Sequence, residues 1–287
     1  MSLVTDRMMS DMERGGLAPR TRYMYNLAIQ LLEKFHGRSV ELLTADDLRA
    51  WDNDLIRRGL SPSSRIVYLG AAAFLFRKTL ARPEVVSFFM RPRRRRSLPA
   101  ILSPNEIQRL FAAFRAPRYR AFFALIYDTG LRISEAANLQ VGDIDHPRGV
   151  IRVRQGKGGK DRQVKLGARL YEILRNYWRN ERIDGPQAEP IPKETFLFAS
   201  ATGGRISIMG ARYALALALN EAGITKRVTP HTLRHSFATV QLEAGTELPV
   251  VQAQLGHACI RSTEVYLHVS TRMILKAPSP LDALHPS

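Results

Sequence analysis

A single cysteine, Cys259, in 287 residues leaves that thiol nothing to pair with. An internal disulfide and a cysteine-rich zinc site are therefore excluded, and the composition suits a reducing, cytoplasmic setting. Cys259 itself, beside His257, reads as a packing residue. No apolar run approaches the length of a membrane-spanning helix, and no signal-peptide pattern opens the chain, so a soluble protein is expected. Internal repeats and low-complexity tracts are absent too. Acidic residues are scarce: 26 Asp plus Glu stand against 43 Lys plus Arg, a formal charge of +17. Such a surplus repels itself in a compact protein unless a polyanion neutralises it. Nucleic acid is the first partner to consider, ahead of a membrane surface.

What is present is enough for two ordinary domains, since 45% hydrophobic residues can supply a core to each. Residues 1–90 read as helices separated by turn signals. Met24, Leu27, Ala28, Leu31, Leu32 and Phe35 form the stripe of an amphipathic helix from Arg20 to Phe35, which Gly37 ends. Thr44 with Asp46 and Asp47 forms an N-cap and acidic first turn, leading into Leu48, Trp51, Leu55 and Ile56. Ser61-Pro62 starts a third helix to about Leu80, burying Tyr68, Ala72, Leu75 and Phe76. Arg20, Arg22, Arg57, Arg58, Arg65 and Arg77 give this bundle a basic surface. An ordinary bundle with a solvated basic face would look the same locally.

Residues 91–99 place Arg93, Arg94, Arg95 and Arg96 between two prolines. That composition neither packs in a core nor continues a helix, so it is the expected linker. It can lie along a phosphate backbone, although solvated charge runs are common. Residues 100–287 open on a capping box, Ser103-Pro104-Asn105-Glu106. A helix over Arg118–Asp128 is broken at Thr129-Gly130, and Arg132 starts the next. Glu135, three residues on, can accept from a neighbouring arginine or cap the helix start, though the pair alone reads as a surface ion pair. Two short strands, 150–154 and 162–166, flank the Gly-rich turn Gly156-Lys157-Gly158-Gly159-Lys160-Asp161. The P-loop spacing is missing there. Leu170–Arg182 and Ile208–Ala222 read as helices, with Phe196-Leu197-Phe198 a short buried strand between them. Arg212 and Lys226 are candidates for phosphate contact.

The informative stretch runs from Thr229 to Tyr266. Pro230 suits the first turn of a helix, so His231 and Arg234, three apart, share one face. A planar guanidinium beside a donor imidazole suits the non-bridging oxygens of a phosphodiester, and His257 would complete the cradle. Tyr266 could then supply a nucleophilic hydroxyl. By itself it reads as a core tyrosine on a helix whose apolar side carries Val265, Val269 and Met273. The histidines match no zinc pattern, and Arg234 would repel a cation, so no metal is expected.

His231, Arg234, His257 and Tyr266, in this order, resemble the C-terminal signature of the tyrosine recombinases, or phage-type integrases. Thr129-Gly130-Leu131-Arg132-Ile133-Ser134-Glu135 resembles that family's first signature. Each motif alone is weak; their joint occurrence in order is a strong signal. The resemblance implies a mainly α fold with a small antiparallel β-sheet, in two domains: an N-terminal helical DNA core-binding domain (1–90) and, after the linker, a catalytic α+β domain (100–287). It implies site-specific cutting and rejoining of double-stranded DNA through a 3′-phosphotyrosyl bond at Tyr266, with no cofactor, metal or ATP. Arg132, Arg234, His231 and His257 would bind the phosphate, with Glu135 in support. Lys157 would protonate the leaving 5′ oxygen, with Lys160 the alternative and otherwise a DNA contact. A homo-tetramer on DNA is implied, with exchange of the C-terminal tail. A type IB topoisomerase and a non-enzymatic DNA-binding protein remain the competing readings.

Overall fold

The computed structural model describes residues 3–90, 92, 100–154, 161–181, 191–200 and 202–256. Two compact units divide the chain at residues 97 and 98. The architecture is mainly helical with one three-stranded antiparallel sheet, as expected.

The first unit contains α1 (Leu3–Arg14), α2 (Pro19–His36), α3 (Ala45–Arg57) and α4 (Pro62–Phe74). Its core is Met8, Met12, Ile29, Leu32, Leu48, Trp51, Leu55, Leu75 and Phe76, all essentially inaccessible. Helices α3 and α4 start where the sequence supplies a partner for orphan backbone donors. Thr44 and Asp47 form a reciprocal capping box, and the Ser61 hydroxyl accepts from Ser64 N–H. The buried face of α2 centres on Ala28, Ile29 and Leu32, while Phe35 is exposed. The α3 stripe likewise stops short of Ile56, which is exposed. The third predicted helix is α4 followed by a π-helical segment, Leu75–Thr79, that keeps Leu75, Phe76 and Thr79 buried. Several arginines of the basic surface are already paired: Arg22 bonds Glu13 at 2.7 Å, and Arg65 grips both oxygens of Asp52 at 2.7 and 2.9 Å.

The second unit begins with α5 (Pro104–Ala113), capped by the predicted Ser103–Glu106 box, and α6 (Pro117–Thr129). After α7 (Ile133–Asn138) come β1 (Ile144–Asp145), β2 (Val150–Val153) and β3 (Arg162–Lys165). The register pairs Ile151 with Val164 and Val153 with Arg162. The sequence reading found β2 and β3 but not the two-residue β1. Next are α8 (Ala168–Glu181), α9 (Ile208–Glu221), α10 (Pro230–Glu243) and α11 (Leu248–Leu255). Phe196 makes an isolated bridge with Gln140 instead of a full strand, although Leu197 and Phe198 are buried as expected.

Helix α6 is the centre of this unit: Ala121 to Ile126 are all buried, so it is apolar all round. It ends on Gly130 in the left-handed region, φ 66°. A Cβ there would stand 2.5 Å from Phe237 of α10 and 2.8 Å from Leu255 of α11, so only glycine permits this meeting of three helices. That close approach brings the start of α7, the inner face of α10 and the end of α11 to one place.

Candidate active site

At this junction a single carboxylate organises three arginines. Arg132 is the N-cap of α7, and its backbone N–H donates to Glu135 Oε2 at 2.8 Å while its Nη1 donates to Oε1 at 2.7 Å. Both sequence-level options for Glu135, helix cap and arginine acceptor, are realised together. Arg162 at the start of β3 donates to both carboxylate oxygens, at 3.0 and 2.7 Å. Arg234 on α10 stands 3.9 Å from Oε2.

The last turn of α11 receives the same three guanidinium groups. Arg162 Nε donates to Gln254 O (2.7 Å), Arg234 Nη2 to Leu255 O (2.6 Å), and Arg132 Nη2 to Gly256 O (3.5 Å). Carbonyls at a helix C-terminus lack intrahelical donors and sit at the negative end of the helix dipole, so cations are stabilised there. Arg234 Nη1 also donates to Gly130 O at 2.6 Å, so carbonyls on two segments fix its plane. Arg234 and Glu135 side chains are 4% and 7% exposed, Arg132 21%. The two buried groups are held rigidly, and Arg132 is the one open to solvent.

Electrostatics follow from this packing. Burial alone would raise the Glu135 carboxyl. The Arg162 hydrogen bonds, the Arg132 backbone N–H and the nearby positive charges outweigh it and bring the pKa down to about 2. Against an unfolded value near 4.5, that carboxylate contributes stability that is complete above pH 4.5 and is lost as pH falls toward 2. At 1.36 kcal/mol per unit the contribution is about 3 kcal/mol. Glu135→Gln is expected to lower unfolding stability at pH 7 by about that amount and to remove the share of the fall between pH 4.5 and 2 that belongs to this carboxylate, both read by urea denaturation.

His231 lies on the exposed side of α10, beside Arg234. Partial burial of the ring, then the charges of Arg234, Arg132 and Arg212, lower its pKa, so it is neutral at pH 7. His235 is a turn further on; burial, then the charges of His231 and Arg234, press its pKa down to about 4. A folded-state pKa below the unfolded 6.5 means that acid favours the unfolded chain. Stability present above pH 6.5 is therefore lost as pH falls through 4, by about 3 kcal/mol for His235. His235→Phe is expected to flatten that fall in denaturation curves taken at pH 7, 5.5 and 4.

Of the residues singled out by sequence, Arg132, Glu135, His231 and Arg234 come together here. Lys157, Lys160, His257, Tyr266 and Arg93, Arg94, Arg95 and Arg96 lie outside the described residues. Lys226, a candidate for phosphate contact, is instead paired with Glu106 at 2.7 Å. Arg162 was read only as a strand residue. Its signal was weak, an arginine inside an otherwise ordinary strand, and its partners lie 27 and 92 residues away. A separate cavity of about 890 Å³ lies between α5, α6 and α8 and includes none of the clustered residues. Among the described residues no group of three or more His, Cys, Asp or Glu could hold a metal ion, and no helix is long and apolar enough to cross a membrane.

Comparison with known proteins identifies the family. Residues 100–273 match the phage integrase family, and residues 4–84 match the phage integrase N-terminal SAM-like domain. The protein y4qK of Sinorhizobium fredii is 35% identical over 286 residues, covering 99% of this chain and 90% of that one. Tyrosine recombinase XerD of Mycobacterium leprae is 35% identical over 279 residues, covering 91% and 86%. A crystal structure of a lambda integrase dimer bound to a COC′ core site shares the fold, with TM-score 0.74 at 19% identity over 92% of this chain and 93% of that one. With its signature arginines gathered at one helix end and both family models matched in order, the chain belongs to the phage integrase family of tyrosine recombinases, enzymes that cut and rejoin DNA.

Proposed function

We propose that this protein is a site-specific recombinase that works through a 3′-phosphotyrosyl intermediate on Tyr266, without metal or ATP. The observation that carries this is the convergence of Arg132 and Arg234 on the end of α11, immediately before His257, with His231 on the adjoining face of α10. Two guanidinium groups fixed in a partly desolvated pocket stabilise the charge that grows on a pentacoordinate phosphorus, and fixed cations supply what a metal ion would otherwise supply.

The Tyr266 hydroxyl oxygen attacks the scissile phosphorus and gives its proton to His231, whose lowered pKa keeps the ring neutral and able to accept it. The bond from phosphorus to the 5′ oxygen breaks, and Lys157 protonates that oxygen, which is otherwise a poor leaving group; Lys160 is the alternative donor. His257 donates a hydrogen bond to the non-bridging oxygens. The phosphotyrosine conserves the energy of the broken bond. A 5′-hydroxyl from the partner strand attacks it in reverse and releases Tyr266.

In this scheme residues 1–90 and the catalytic domain at 100–287 both bind double-stranded DNA. Arg93, Arg94, Arg95 and Arg96 in the linker neutralise phosphates, which makes binding steeply salt-dependent. Exchange between two duplexes assembles a homo-tetramer, with each C-terminal tail docked on a neighbouring protomer.

The test is to incubate the protein with sheared genomic DNA in EDTA, denature it, recover DNA covalently bound to protein and sequence the 3′ ends. Adducts clustered at one sequence are expected. Scattered adducts would indicate topoisomerase activity on single duplexes, and their complete absence would leave a DNA-binding protein.

A further inference from the structure

Arg162 presents a different problem from Arg132 and Arg234. Its three nitrogens are all committed to protein: Nη1 and Nη2 to the two oxygens of Glu135, and Nε to Gln254 O. Its side chain is 10% exposed. The guanidine group also lies against Gly256, where a Cβ would be 3.1 Å from Arg162 Cδ, Nε and Cζ. A group so fully engaged cannot bind a phosphate as well. It nevertheless touches both structures that hold the other two arginines, the Glu135 carboxylate and the last turn of α11.

The competition for Glu135 explains what such a group does. Arg132 reaches one carboxylate oxygen with Nη1, and Arg234 stands 3.9 Å from the other. A buried carboxylate with spare acceptor capacity draws guanidinium groups into bidentate pairs. Arg162 fills that capacity, so Arg132 is held by one oxygen and Arg234 by backbone carbonyls. We infer that Arg162 is a positioning residue, which saturates Glu135 and pins the end of α11, so that Arg132 keeps a single bond to the carboxylate, Arg234 stands 3.9 Å from it, and both are left to face the scissile phosphate. This rests on the recombinase reading given above.

The experiment compares single-turnover adduct formation by wild type, Arg162→Gln and Arg162→Lys on duplexes carrying the sequence where wild-type adducts cluster. One duplex has an ordinary scissile phosphate. In the other, a methylphosphonate replaces it, so one charged oxygen becomes a neutral methyl and no anion awaits the arginines. Misplacement of about an ångström can cost on the order of 100-fold, so Arg162→Gln is expected to be slower by about 30- to 100-fold on the phosphate duplex, per bound complex. On the methylphosphonate the deficit should shrink to within about threefold, because the pentacoordinate state then carries one negative charge where the phosphate carries two, and demands less of the guanidinium groups. Arg162→Lys keeps a cation by Glu135 but cannot bridge both oxygens; it should show the same pattern more mildly, and it carries the test if Arg162→Gln does not fold. An equal deficit on both duplexes, or none on either, overturns the inference. Tyr266→Phe runs alongside: adducts formed by that variant would overturn the recombinase reading itself, independently of Arg162.

Discussion

Tyr266→Phe is expected to abolish covalent protein–DNA adducts completely while leaving DNA affinity within about twofold of wild type. The substitution removes one oxygen and keeps the ring, so whatever packing the ring provides is retained. The chemistry has no substitute for the lost atom. Water attacking the same phosphorus would release a free 3′-phosphate and leave nothing attached to protein, so the adduct assay reads the nucleophile directly. The affinity measurement, by mobility shift at fixed salt, separates this outcome from a loss of binding. If the variant still formed adducts, another side chain would be the nucleophile, and a residue other than Tyr266 would have to be sought by mapping the modified peptide. If affinity fell with activity, Tyr266 would be a structural or DNA-contacting tyrosine.

Elements whose signals are local were legible in the sequence. Ser103 with Glu106 and Thr44 with Asp47 announced helix starts, and both form reciprocal capping boxes. Pro230 at a first turn marked the start of α10, so His231 and Arg234 could be placed on one helix before any tertiary contact was known. Glu135 was legible as a helix cap because its partner, the Arg132 backbone, is three residues away. Its bond to Arg162 was not, because Arg162 arrives through strand register and a hairpin. The same limit applies to Arg234, whose carbonyl partners are 104 and 21 residues distant. Periodicity also overreached at stripe ends: Phe35 and Ile56 continue their patterns, yet both are exposed among the described residues. Gly130 was read correctly as a helix breaker. Its larger function, admitting Phe237 and Leu255, depends on two side chains from elsewhere in the fold.

From sequence alone, Arg234→Ala should lose cleavage and retain much of the DNA binding. The structure adds a folding cost, because the alanine leaves Gly130 O and Leu255 O without their donors. Each buried acceptor left unsatisfied costs about 1–3 kcal/mol, so the variant is expected to be less stable by about 2–6 kcal/mol. Bulk activity would then fall for two reasons, and the rate must be read per folded, DNA-bound molecule. Loss of one preorganised donor to a developing oxyanion typically lowers a rate by about 100- to 1000-fold. Arg234→Lys separates the two effects, since a lysine keeps a cation beside Glu135 but its single ammonium cannot reproduce the planar fork that spans two carbonyls. It should recover part of the stability and bind DNA nearly as wild type, yet cleave at least about 100-fold more slowly per bound complex. A lysine variant that recovered cleavage in step with stability would reduce Arg234 to a strut between α6, α10 and α11. The catalytic burden would then rest on Arg132, the more exposed of the pair.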